Sequence, residues 1–151
     1  MTINSVAAEI LLVEDNQDDV DLTLHTLARE NLANNIVVVR DGEEALEYLF
    51  CRGDFAGRSF DDPPRLVLLD LKLPKVDGIA VLRQIKADER TKIIPVVILT
   101  SSKEESDIMA GYDNGANSYV VKPIQRIEFE KAIEHVGLYW LIVNALPAAK
   151  K

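Results

Sequence analysis

"RLVLLDLKLPK" spans Arg65 to Lys75. Five of its first seven residues are apolar, and Asp70 interrupts them. The run Arg65–Leu69 is continuous rather than alternating, the pattern of a strand covered on both faces. An acid closing such a strand is either a turn former or a functional group. Pro74 and Asp77-Gly78 follow, so the chain turns at once and a helix starts near Gly78. Asp70 is therefore expected at the rim of a sheet and not inside its core.

Similar runs occur at Glu9–Val13, Ile36–Val39 and Pro95–Leu99, with a weaker one at Ser118–Val121. Helical patterns lie between them. Asn16 is placed to cap a helix carrying Val20, Leu24 and Leu27 on one face. Asp41 with Glu44, and Ser102 with Glu105, have the spacing of capping boxes, the second ahead of Ile108, Met109 and Tyr112. A third helix is expected from about Gly78 to Glu89 with Val81, Leu82 and Ile85 inward. Asp113-Asn114-Gly115 reads as a helix terminator with Gly115 left-handed. Cys51–Pro64 is rich in Gly, Asp and Pro and reads as a long loop. The order βαβαβαβαβα predicts an α/β fold, a doubly wound five-stranded parallel sheet with helices on both faces.

The bulk numbers suit one domain. The chain has 151 residues, 48% hydrophobic and 28% charged, enough to bury a core. Its 25 acidic and 17 basic residues give a net charge of −8. That balance argues against nucleic acid and against an anionic membrane surface as main partners. One cysteine, Cys51, excludes an intrachain disulfide. The opening "MTINSVAAEILLVEDN" lacks the basic start of a secretory signal, and "VGLYWLIV" (Val136–Val143) is too short to span a bilayer. A cytoplasmic location is the expectation. His25 and His135 read as solvated helix positions.

In a doubly wound sheet, ligands bind outside the carboxyl ends of the strands. Those ends carry Glu14-Asp15, Asp70, Thr100-Ser101-Ser102 and Lys122-Pro123. Each alone has an ordinary explanation as a turn former, a backbone partner or a solvated charge. Together they gather three carboxylates, a hydroxyl and an ammonium at one rim. Clustered carboxylates repel, and a hard divalent cation such as Mg²⁺ relieves this with only one or two of them as ligands. A carboxylate is a phosphoryl acceptor, and the metal, lysine and hydroxyl would offset charge on the transferred oxygens.

The stretches "ILLVEDN", "LVLLDLKLPKVDG", "VVILTSS" and "YVVKP", together spanning Ile10–Pro123, resemble the receiver domain of two-component response regulators. The resemblance implies a flavodoxin-like sheet of order 2-1-3-4-5. It makes Asp70 the phosphoacceptor. Glu14 and Asp15 become, with Asp70, the acids that bind Mg²⁺, with Mn²⁺ a possible substitute. Lys72 matches the position whose backbone carbonyl ligates the metal. Thr100 matches the hydroxyl that follows the phosphate, Lys122 the phosphate-pairing lysine, and Tyr119 the aromatic whose rotamer reports phosphorylation. The Lys122–Pro123 peptide would be cis, as is usual in the family. The long loop, "TSS" and an aromatic last helix further resemble small regulators paired with phytochrome-type histidine kinases.

The helical pattern from Ile124 continues to about Leu146, roughly 34 Å. Phe129, Ile133, Val136, Trp140 and Val143 form one seam, joined by Tyr139, and apolar residues cover most faces from Leu138 on. Such a surface marks association. A helix folded back on its own domain is the alternative. The chain thus reads as a single receiver over 1–151, with a core of about 8–136 and a helical extension of about 137–146. It would form a two-fold homodimer through the fourth helix, fifth strand and last helix. It would assist its own phosphorylation and dephosphorylation as a signalling protein and not as an enzyme. Two rivals are an aspartyl-phosphate phosphatase and a receiver-like module working without phosphate. The first needs a second acid two residues after its nucleophile, where Lys72 stands. The second commonly lacks one of the acids or the lysine, and all are present here.

Overall fold

The computed structural model describes residues 10–29 and 36–122. Five parallel strands, β1 (Ile10–Val13), β2 (Ile36–Val39), β3 (Leu66–Leu69), β4 (Val96–Thr100) and β5 (Ser118–Val121), form one sheet of order β2-β1-β3-β4-β5. Helices α1 (Gln17–Arg29), α2 (Gly42–Leu49), α3 (Gly78–Ala87) and α4 (Glu105–Asp113) connect them. The expected last helix, its seam (Phe129, Ile133, Val136, Tyr139, Trp140 and Val143) and the Lys122–Pro123 peptide lie outside the described residues. Among the described residues no helix is long and apolar enough to cross a membrane.

The continuous apolar runs work because successive side chains leave opposite faces of the sheet. Leu11, Val13, Val67, Leu69, Val96 and Ile98 pack with Ala45, Leu46 and Leu49 of α2 and Val81, Leu82 and Ile85 of α3. Ile10, Leu12, Leu66, Leu68, Val97 and Leu99 pack with Val20 and Leu27 of α1 on the other face. Each fully buried Leu or Ile contributes about 2 kcal/mol. Helices therefore cover both faces, and β1 and β3 are buried along their whole length.

The register aligns the strand ends. Val13 stands beside both Val39 and Leu69, and Thr100 beside Val121. The ladder continues one step further, with the Glu14 amide donating to the Val39 carbonyl at 3.0 Å, Asp70 to Val13 at 3.1 Å and Lys122 to Thr100 at 2.6 Å. Glu14, Asp70 and Lys122 are thus each the first residue beyond a strand, held by backbone bonds at one level.

Some local expectations hold and others change in detail. Asn16 caps α1 as expected, its Oδ1 accepting from the Asp19 amide at 3.0 Å. Asp41 accepts from the Glu44 amide at 2.7 Å, but Glu44 returns its bond to the Arg40 amide and not to Asp41. The Ser102–Glu105 capping box does not form. The cap of α4 is Glu104, without a side-chain bond; the Ser102 Oγ accepts from the Glu104 amide at 3.3 Å and donates to Asp107 at 2.5 Å. Met109 and Tyr112 of α4 are exposed. The loop after α2 holds a 3-10 turn, Gly53–Phe55. Gly115 has φ 100°, the left-handed terminator the sequence predicts.

Candidate functional site

The site sits where β1, β3 and β5 release the chain. Carboxylate oxygens of Glu14, Asp15 and Asp70 lie within 4.8 Å of one another. Lys122 Nζ donates to Glu14 Oε1 at 2.5 Å and to Asp70 Oδ2 at 3.1 Å. Asp70 Oδ1 accepts the Lys72 amide at 3.2 Å. The rim placement of Asp70 is as expected, but it is not open: the residue is only 6% exposed, and Glu14 3%. Asp15 remains exposed. Two buried carboxylates sharing one ammonium are tolerable only because that cation is beside them.

Burial dominates the electrostatics. It pushes the Glu14 carboxyl up to about 7, against the opposing pull of Lys122. Burial also works against the charge of Lys122. The carboxylates of Asp19 and Glu14, helped by Asp70, outweigh it and hold the ammonium above the ordinary lysine value. A divalent cation would meet three oxygen donors here, two of them already desolvated, which is the donor chemistry that hard cations prefer.

The segment after Asp70 is fixed by close backbone contacts. The Gly78 amide donates to the Leu71 carbonyl at 3.0 Å, and the Gly42 amide to the Pro74 carbonyl at 3.2 Å. A Cβ at Gly78 would collide with the Asp70 carbonyl oxygen, and one at Gly42 with the Val76 carbonyl oxygen. Lys75 takes φ 69° between these points, an uncommon conformation for a side chain with a Cβ. These contacts bring the start of α3 directly against Asp70.

Thr100 and Tyr119 lie on β4 and β5 beside this cluster. Thr100 is fully buried, and its Oγ1 receives a long contact from the Ser102 amide at 3.4 Å. The Tyr119 hydroxyl donates to the Ser102 carbonyl at 3.1 Å, and burial raises its pKa. Both therefore engage the β4–α4 loop rather than the carboxylates. The Lys72 side chain lies 3.9 Å from Asp107, which in turn accepts from Ser102. Two acids at the rim went unassigned in the sequence. Asp107 organises the β4–α4 loop, and Asp19 accepts from Lys122 Nζ at 2.8 Å. Asp19 had one available signal: it lies in the first turn of α1, immediately beyond the carboxyl end of β1.

A profile of the response regulator receiver domain matches residues 10–134. The probable methanogenesis regulatory protein FilR2 of Methanothrix harundinacea is 44% identical over 138 residues, covering 91% of this chain and 86% of FilR2. Response regulator Rcp1 of Synechocystis sp. is 37% identical over 140 residues, 93% of each chain. The crystal structure of its Mn²⁺-bound form has a TM-score of 0.85 at 36% identity, covering 93% of this chain and 99% of that one. The phosphorylated cyanobacterial phytochrome response regulator RcpA gives the same TM-score, 0.85, at 41% identity over 93% of this chain and 98% of its own. With its sheet order, its acidic rim and these relatives, the chain belongs to the response regulator receiver domain family of two-component signalling.

Proposed function

We propose that this receiver accepts a phosphoryl group from a histidine kinase onto Asp70 and signals by binding another protein. The observation that carries the reading is the Lys122 ammonium shared by Glu14 and Asp70 at the ends of β1 and β3. A phosphoryl oxygen on Asp70 would lie within reach of the same cation. In the transfer, the N–P bond to the kinase imidazole breaks and a P–O bond to an Asp70 carboxylate oxygen forms. The imidazole nitrogen keeps the electron pair. Hydrolysis later breaks the P–O link, releasing inorganic phosphate and restoring the carboxylate.

Glu14, Asp15 and Asp70 would hold Mg²⁺, with Mn²⁺ as a substitute and the Lys72 carbonyl as a further ligand. The metal would offset charge on the phosphoryl oxygens. Thr100 and Tyr119 would follow the phosphoryl group through the β4–α4 loop that they already bond. The kinase is of the phytochrome type in this reading, by similarity to the cyanobacterial phytochrome response regulator RcpA. Output passes through a homodimer built on α4, β5 and the C-terminal extension, in the cytoplasm.

The test is treatment of wild type and Asp70→Asn with acetyl phosphate or beryllofluoride in Mg²⁺. The expected result is an Asp70-dependent mass increase with acetyl phosphate, and with beryllofluoride a change in the NMR signal of Tyr119. Equal behaviour of the two proteins would overturn the assignment.

A further inference from the structure

Asp19 has no part in the transfer just described, yet it holds the lysine at the centre of the site. An ammonium has three N–H donors. In this structure Glu14 takes one at 2.5 Å, Asp19 another at 2.8 Å and Asp70 the third at 3.1 Å. All three are committed to carboxylates. The three acceptors are not equivalent. The side chains of Glu14 and Asp70 are 4% and 8% exposed, whereas that of Asp19 is 33% exposed. Asp19 can return to water at the smallest desolvation difference.

Its carboxylate is also not needed for the helix cap. That bond runs from the Asp19 amide to Asn16 Oδ1. A phosphoryl group brings about two negative charges and needs charge-assisted donors. It would arrive where Glu14, Asp19 and Asp70 already share the Lys122 ammonium, with Asp15 beside Glu14 and Asp70.

We propose that Asp19 is a positioning residue that holds the Lys122 ammonium in the resting protein. By competing for that ammonium, it weakens the site's hold on a phosphoryl group at Asp70. This rests on Asp70 being the acceptor. When the phosphoryl group arrives, one of its oxygens takes a Lys122 N–H, and the Asp19 carboxylate is left to solvent. Asp19→Asn keeps an acceptor of the same shape and removes the opposing charge. Asp19→Glu restores the charge. A merely structural acid in a first helical turn would affect stability through the helix dipole and leave phosphoryl affinity unchanged.

The experiment is a beryllofluoride titration in Mg²⁺ of wild type, Asp19→Asn and Asp19→Glu, followed by NMR at Tyr119. The Lys122 Nζ signal is recorded separately in metal-free protein. Asp19→Asn is expected to bind roughly three- to tenfold more tightly, the size of one partly screened charge interaction. Asp19→Glu should return to within about twofold of wild type. The Lys122 Nζ signal should shift in Asp19→Asn. Unchanged or weaker beryllofluoride binding by Asp19→Asn, or an unmoved Nζ signal, overturns the inference alone. A wild type that binds no beryllofluoride overturns the phosphoreceiver reading and this inference with it.

Discussion

Two carboxylates at opposite ends of the sheet have their pKa values displaced in opposite directions. Glu14, beyond the last residue of β1, is pushed up to about 7 by burial. Asp88, where α3 ends and the chain turns toward β4, is held at about 2 by side-chain and backbone hydrogen bonds from Arg90. Asp88 is served by three Arg90 donors at 2.8, 3.0 and 2.9 Å. Glu14 shares one ammonium with two other acids. The contrast extends to the neighbours. At the far end Arg58 lies over the Tyr48 ring at 3.7 Å, Arg90 over Phe60 at 4.1 Å and Arg52 over Phe50 at 5.0 Å. Lys86, whose ammonium burial holds below the ordinary lysine value, donates to the carbonyls of Lys92 and Ile94. Charges there sit against rings, carbonyls and a dedicated acid. At the rim, acids outnumber the cation, which leaves the site ready for a further cation.

Removing the scarce partner tests this most severely. Lys122→Ala leaves Glu14 and Asp70 buried without their cation, and urea unfolding in chelator should show a loss of about 3 kcal/mol. A loss under about 1 kcal/mol would mean that the rim carboxylates are served by water, and the contrast would fail.

Acidity gives the second test. A carboxyl whose pKa rises on folding binds more protons folded than unfolded. Metal-free protein should therefore lose stability as pH rises from 4.5 through about 7. Urea midpoints for wild type and Glu14→Gln should show this slope in the first and not the second. For Asp88 the sign is opposite. Its contribution is present above 3.8 and is lost as pH falls through about 2, which carboxyl NMR would follow.

The smallest effect belongs to the far end. The Arg58 guanidinium donates to the carbonyls of Tyr48 at 2.5 Å and Asp62 at 3.0 Å besides covering a ring. Arg58→Ala should cost about 1 kcal/mol in urea unfolding and leave beryllofluoride binding unchanged. Altered binding would show that the two ends are coupled.

Much of this was legible in residue order, for a physical reason. Continuous apolar runs mark strands covered on both faces, so β2 at Ile36–Val39 and β5 at Ser118–Val121 fall where the runs do. Parallel winding then brings every strand's carboxyl end to one rim, which unites Glu14, Asp70 and Lys122 from positions far apart in the chain. Spacing could not settle what depends on competition between groups. Ser102 and Glu105 satisfy a three-residue pattern, yet the Ser102 hydroxyl accepts from the Glu104 amide and donates to Asp107. Asp19 and Asp18 are both acids in the first turn of α1. Only the seating of that helix decides that Asp19 reaches Lys122. The tight closure of the start of α3 against the Asp70 backbone is likewise something that one strand's sequence does not encode.

That closure has a consequence for chain length. The segment from Leu71 to Gly78 is tied at Leu71, Pro74 and Gly78 and bends through a left-handed residue at Lys75. A path fixed at so many points has no slack, and one residue more or fewer would displace Asp70 or pull α2 and α3 out of place. Gly57, in the loop at the other end of the sheet, faces open space. A reporter or tag inserted there opens the turn closed by the Arg58 amide and the Phe55 carbonyl, at the end of the sheet away from the rim. The same insertion between Leu71 and Gly78 would rewrite the site.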